Sequence, residues 1–261
     1  MTVALYTGTW RLAAALLGLF VFGLWEIVKP FRPLVEPRPR HYLKNLFIGA
    51  FNSLFLNITV SSFVLAFLYY LEQNRIGLLH WLNLGPAANM AASFLFLDFA
   101  TYCWHKAYHE VPLMWRLHKV HHSDLDLDVT SASRFHLGEI LWSLIFKMGI
   151  GLVWGPTVLA MAVHEAGLLL AAQFQHANIG IGEPWETRIK KIIVTPDMHR
   201  IHHSDVIRET NSNYSNLFSF WDRLFGTYTP PVNQRGIVIG LKEYPTPQYV
   251  TLPKLLLMPF Y

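Results

Sequence analysis

Eight of the chain's 13 histidines fall into three regular groups: His105 and His109, four apart; His118, His121 and His122 as His-x-x-His-His; and His199, His202 and His203, which repeat that pattern. On a helix, residues three and four apart share a face with Cβ atoms about 5–6 Å apart. Each group is therefore expected to present two or three imidazoles to one point, which is metal-ligand geometry. His41 and His80 stand alone beside apolar stretches and read as hydrogen-bonded or interfacial residues. His176 ends the apolar run in Gln173-Phe174-Gln175-His176 and returns to the side of the clusters, so it is read as a ninth ligand. His136 stays open as a tenth. His164, next to Glu165 inside an apolar stretch, reads as a buried paired residue or a substrate-channel group. Nine ligands exceed what one ion can use, so two ions with four or five ligands each are expected.

The residue types narrow the metal. Structural zinc usually recruits cysteine, and this chain has only Cys103. Zinc proteolysis needs His-Glu-x-x-His, but His109-Glu110 and His164-Glu165 are followed at the required position by Leu113 and Leu168. Haem needs one or two axial histidines and leaves the paired clusters without a role. Imidazole-rich sites with room for dioxygen suit iron. Acids placed to orient the rings are Asp98, seven residues before His105 on the same helical face, with Glu110, Asp124 and Asp222.

The elements that must position these groups are membrane helices. Of 261 residues, 52% are hydrophobic and only 15% charged, against about 25% charged in an ordinary globular domain. That composition excludes a disordered chain and a coiled coil. The net charge of +4 is too small and too dispersed for a nucleic-acid stripe, and no nucleic-acid partner is expected. Apolar stretches at Trp10–Val28, Leu46–Leu71 and Leu78–Trp104 are each long enough to cross a hydrocarbon core of about 30 Å. The first lacks a signal-peptide pattern and reads as retained. Ile140–Phe174 is too long for one crossing, and Gly155-Pro156 near its middle predicts a hairpin turn. Its small residues, among them Gly149, Gly151 and Gly167, are expected to leave a slot for an apolar tail. Between the first two spans, Lys29, Arg32, Arg38, Arg40 and Lys44 face only Glu36, which places that loop in the cytoplasm. Counting crossings puts the histidine clusters on the same side.

The run His105-Lys-Ala-Tyr-His109-Glu-Val-Pro-Leu-Met-Trp115-Arg-Leu-His118-Lys-Val-His121-His122-Ser resembles the first two histidine boxes of the fatty acid hydroxylase (sterol desaturase) superfamily. Met198-His199-Arg200-Ile201-His202-His203-Ser204, Asn213-Tyr214 and Trp221 to Tyr228 resemble its third box and the segment that follows. The match covers roughly 98–228, and His109-Glu110 with Gln173 to His176 is also similar to the alkylglycerol monooxygenase branch. The resemblance implies a multi-span helical protein whose cytosolic cap holds a non-haem di-iron centre.

The expected architecture is thus an all-α integral membrane protein. It has four to five membrane-embedded helices and a cytoplasmic helical cap, and forms one domain over 1–261. The metal ligands are His105, His109, His118, His121, His122, His176, His199, His202 and His203, with Asp98, Glu110 and Asp222 behind them. The cofactors are two iron ions and O2, with zinc able to substitute during overexpression. The expected activity is O2-dependent oxidation, foremost hydroxylation, of a C–H bond in a membrane lipid such as a sterol, fatty acyl or ether lipid. Desaturation by the same site is the alternative. A membrane metal transporter or sensor would instead place ligands in mid-membrane along a path. The host membrane is a bacterial inner membrane or the endoplasmic reticulum. No flavin, nicotinamide or iron–sulfur fingerprint is present, so a separate reductase or small redox protein is expected to dock on a basic surface of Arg188, Lys190, Lys191 and Arg200.

Overall fold

A computed structural model describes residues 2–261, with side chains from Arg11 onward. The described residues form helices and no strands; the only β pairing is two isolated bridges, Ile193 with Phe218 and Ser204 with Ile239. The helices are α1 (Thr2–Val28), α2 (Arg38–Thr59), α3 (Ser61–Gln73), α4 (Pro86–Glu110), α5 (Pro112–His122), α6 (Leu137–Trp154), α7 (Val158–His176), α8 (Trp185–Ile189), α9 (Pro196–His202), α10 (Ile207–Thr210), α11 (Phe220–Leu224) and α12 (Leu252–Leu257).

Local sequence sets most of the boundaries. Proline opens α4, α5 and α9, where its missing N–H is one the first turn leaves unpaired anyway. The predicted hairpin is present. Gly155 ends α6 in the left-handed conformation (φ 73°), and the Thr157 hydroxyl then caps α7 by accepting the Ala160 N–H at 3.1 Å. Gly155 also lies against Gly77 (φ 117°), where a Cβ on Gly77 would fall 2.4 Å from the Gly155 Cα. No side chain fits between these two backbones.

The second apolar stretch is not a straight span. It breaks at Val60, and the two parts are bent by 62°. Neither proline nor glycine lies at the break. There the Thr59 hydroxyl donates to the Phe55 carbonyl at 2.7 Å and the Ser61 hydroxyl to the Leu56 carbonyl at 2.9 Å. Such bonds compete with the helix ladder. The third stretch is displaced: Leu78–His80 is a short 3₁₀ turn, and the helix starts only at Pro86. Among the described residues, three helices are long and apolar enough to cross a membrane, at Arg11–Val28, Leu137–Trp154 and Val158–His176, or four if the bent α2–α3 pair is one span. α4 is long enough, but its polar residues keep it out of that set.

α1 packs along α7, which also touches α4 and α9. The outer face of α1 carries Leu12, Leu16, Phe20, Leu24 and Val28, all more than half exposed. A contiguous apolar surface of this kind belongs against lipid. The Gln173 side chain donates to the Ala15 carbonyl at 3.0 Å and pins the pair. Gly151 and Gly167 of the α6–α7 hairpin do not line an open slot as expected, whereas a Cβ on Gly149 would meet nothing within 4 Å. A Cβ on Gly151 would meet Leu68 at 2.8 Å, and one on Gly167 would meet Phe94 at 3.4 Å. These glycines let neighbouring helices approach.

At one end of the bundle the interior turns polar. Glu26, at the end of α1, accepts the N–H groups of Asn178 (2.8 Å) and Val129 (3.1 Å). Asp126 accepts those of Val35 (2.8 Å) and Glu36 (2.9 Å). His41 is buried between Asp124 (2.6 Å) and Asp128 (2.5 Å), a paired core histidine as read from its isolation in the sequence. Buried Arg134 donates to the Val120 carbonyl, Asn45 and Ser123. These bonds tie the loop after α1 and the 123–136 loop to the start of α2, at the end where the histidines gather. The opposite end holds the α6–α7 turn and Glu72, which accepts the Val158 N–H at 2.9 Å.

Candidate metal centre

The structure brings all nine predicted ligands together, in two adjoining groups. His105, His109, His118, His122 and His202 form one; His121, His176, His199 and His203 form the other. Within each, one nitrogen per ring lies within 4.8 Å of every other. The division differs from the expectation that each sequence cluster serves one point. Neighbouring residues on a helix point about 100° apart, so each His-x-x-His-His cluster splits. In α5 the i, i+4 pair His118/His122 joins the first group and His121 the second. In the third cluster His199/His203 joins the second group and His202 the first. The rings of His121 and His122 stand at 90° to each other, and those of His202 and His203 at 87°. His122 and His203 stack at 4.4 Å across the boundary, so the two groups share a wall.

Backbone carbonyls decide the tautomers. His105 donates from Nδ1 to the Tyr214 carbonyl (2.8 Å), His202 to that of Ser212 (2.7 Å) and His176 to that of Ala172 (2.6 Å). A carbonyl cannot donate, so the proton is on Nδ1 and Nε2 presents a lone pair. Yet His105 Nε2 lies 3.1 Å from His202 Nε2, and His176 Nε2 lies 3.1 Å from His121 Nε2 and 3.0 Å from His199 Nε2. In the His105–His202 pair both Nε2 atoms carry lone pairs, which repel at that distance. Protonation does not relieve them, because burial and then the neighbouring imidazoles push His202 down to about 3 and hold His122, His199 and His203 well below the ordinary histidine value. His109 Nε2 and both nitrogens of His122 are buried without a hydrogen-bond partner. Converging neutral donors that no protein group satisfies fit a cation at the centre of each group.

The acids work differently from the sequence expectation. Asp98 is buried but touches no imidazole; it accepts the Trp221 indole N–H (2.8 Å) and the Phe218 N–H (3.1 Å), fastening α4 to α11 and the segment just before it. Glu110 is exposed and pairs with Lys106 one turn back. Asp222 acts at one remove. It accepts the N–H groups of Tyr214 (2.8 Å) and Ser215 (3.0 Å), and so holds the carbonyl that orients His105. Asn213 in the left-handed region (φ 52°) makes that turn. The acid that does meet a ring is Glu139, whose Oε1 lies 2.6 Å from His118 Nδ1. It is three residues into α6, and its only sequence signal was an acid at the mouth of an apolar helix.

His136 is no ligand: it caps α6 through Nδ1, and its Nε2 reaches the Leu256 carbonyl at 3.2 Å. His164 packs edge-on against Phe94, while Glu165 pairs with Lys147 at 2.6 Å. Phe135 stacks on His121 at 4.5 Å, and Trp115 lies against His109 and His122. Arg200 drops out of the basic docking surface. It is buried, bonded to Asp197, Gln234 and the Ile179 carbonyl, and stacked on Phe31 at 4.1 Å.

Comparison with known proteins gives the family of the chain. The fatty acid hydroxylase family model matches residues 90–227, more than half of the chain and a range that contains all nine histidines. The chain belongs to the fatty acid hydroxylase family. It is 31% identical over 178 residues to human alkylglycerol monooxygenase, covering 67% of this chain and 37% of that protein. It is 30% identical over 168 residues to ornithine lipid hydroxylase OlsE of Rhizobium tropici, covering 62% of this chain and 48% of that one. A cholesterol 25-hydroxylase-like protein of Danio rerio is 30% identical over 145 residues, covering 53% of this chain and 55% of that one. The chain thus spans between about a third and about half of the length of these curated relatives. No solved structure matches it significantly.

Proposed function

We propose that this chain is a membrane-embedded oxidoreductase that uses two iron ions and O2 to hydroxylate a C–H bond of a membrane lipid. The observation that carries this reading is the pair of adjoining all-histidine groups at one end of an apolar helical bundle. His105, His109, His118, His122 and His202 would hold one iron, and His121, His176, His199 and His203 the other. When bound, the iron pair supplies oxygen activation at the headgroup level of the bilayer.

The chain's own residues do the positioning. The carbonyls of Tyr214, Ser212 and Ala172 keep three Nε2 atoms free of protons. Glu139 adds a carboxylate behind His118 and partly offsets the positive charge that neutral ligands leave uncompensated. Phe135 and Trp115 cover the rings from the sides and exclude water. Electrons come from a separate donor, for which Arg188, Lys190 and Lys191 remain the docking surface once Arg200 is removed from it.

The relatives' names, monooxygenase and hydroxylase, favour oxygen insertion over desaturation. The chain acts as one unit, since α4, α5, α7 and α9 all contribute ligands and α1 packs along α7. The centre faces the cytoplasm: Lys29, Arg32, Arg38, Arg40 and Lys44 lie at the histidine end, and the positive-inside rule places that end there. The test is expression in a lipid-rich host with mass spectrometry of extracted lipids. A lipid gaining one oxygen only with the intact chain is expected. A loss of two hydrogens instead would make it a desaturase, and unchanged lipids with about two irons bound and a competent reductant would overturn the reading.

A further inference from the structure

Outside the metal centre, a crevice of about 300 Å³ lies between the start of α2 and the segment leading into α12. One wall is a single stripe of α2: Arg40, Leu43, Lys44 and Phe47, spaced i, i+3, i+4, i+7. The other is Val250 to Leu252. Leu43 is 74% exposed and Phe47 53%. Beyond the crevice, Leu256, Leu257 and Phe260 also face outward, so the seam opens on the surface that meets lipid. The chemistry changes along the stripe, from cations near the histidine end of α2 to apolar side chains below.

The charges are unequal. Lys44 is committed to Glu36 at 2.7 Å, and Glu36 is buried. Arg40 is exposed and has no ion pair among the described residues. The crevice therefore offers one uncompensated cation and no free acid. From this arrangement we propose that the α2–α12 crevice is a binding site for an anionic phospholipid, its phosphodiester on Arg40 and its acyl chain along Leu43 and Phe47. A phosphodiester carries the single negative charge that Arg40 can match with two hydrogen bonds. A zwitterionic head brings a cation for which the crevice has no partner. Val250 packs with Ile48, Leu255 and Val120, and Val120 adjoins His121, so the bound lipid braces the wall behind α5. The proposal rests on the membrane-embedded reading above but not on oxidation.

The test is native mass spectrometry of the full chain in detergent, offered phosphatidylglycerol, phosphatidylcholine or inorganic phosphate. One phosphatidylglycerol per chain is expected, with phosphatidylcholine retained about tenfold less. Arg40→Glu should reduce phosphatidylglycerol retention about tenfold, Arg40→Lys should keep most of it, and Arg208→Glu on the exposed face of α10 should change nothing. Wild-type retention should fall as salt rises from about 0.05 M to about 0.5 M, a measurement that needs no variant. Equal retention of the two lipids, salt-independent retention, or equal losses for the Arg40 and Arg208 reversals would overturn the proposal. Displacement by millimolar phosphate would reduce it to an anion site. His122→Ala should retain phosphatidylglycerol fully, so failure of the oxidative reading leaves this one standing.

Discussion

At the scale of single residues, the nine histidines are held as much by what stands behind them as by their own helices. Glu139 is the clearest case, because among the described residues its carboxylate is the only one in contact with a ring of the five-histidine group. Losing an outer partner of this kind costs a metal site about 10–100-fold in affinity. Glu139→Ala is therefore expected to lower iron occupancy of that group selectively, while Glu139→Gln, which keeps an acceptor for His118 Nδ1–H, restores most of it. Metal titration followed by elemental analysis checks this; equal effects of both substitutions would remove the orienting role. His122→Ala and His203→Ala each strip one ligand from a different group. Each should abolish turnover and reduce iron to about one per chain, with the double variant near zero. Two irons retained in either single variant would contradict the division into five and four.

Among the elements, the 123–136 loop bears the largest load, since it links the helix carrying three ligands to the helix carrying Glu139. Burial alone would raise the Asp124 carboxyl, but the Arg134 guanidinium, with His41 and Lys44, holds it well below the usual carboxylate range. Asp124 thus contributes stability that is fully present above its unfolded value of about 4. That contribution is lost as pH falls further toward its folded value. Asp124→Asn leaves His41 and Arg134 under-compensated in a buried setting and should cost about 3–5 kcal/mol. Thermal melting at neutral pH measures the loss. Wild type should show little change from this group between about pH 7 and about pH 5 and a steep decline below about pH 4. A variant melting with the wild type at neutral pH would show that the ion network adds no stability.

For the whole molecule, binding of iron to the folded state and not to the unfolded chain must raise stability by mass action. Chelation should lower the melting temperature, and re-addition of iron should restore it; a melting temperature indifferent to metal would mean the two groups do not bind ions. Sidedness can be read by labelling. In a Cys103→Ala background, Lys191→Cys lies at the histidine end and Arg75→Cys at the other. In intact cells a membrane-impermeant maleimide should label Arg75→Cys and spare Lys191→Cys. The reverse pattern would put the centre outside.

The sequence alone picked out the nine histidines that the structure gathers, because imidazoles spaced three and four apart on helices have few other uses. It also determined the α6–α7 hairpin, where Gly155 and Pro156 cannot continue a helix. Spacing did not show how the ligands divide. Neighbours 100° apart on one helix turn to different partners only once α5 and α9 are crossed against α4 and α7. Tertiary structure also decided which acids count. Asp98 and Asp222 had suitable positions along the chain, but backbone and indole N–H groups reached them first, whereas Glu139 meets His118 from a helix 21 residues away. Arg200 shows the same limit: its charge marked it for the surface, and burial over Phe31 beside Asp197 took it inside. Periodicity reports which face of its own helix a residue occupies. What that face meets depends on packing between segments far apart in the chain, and that is decided only when the bundle closes.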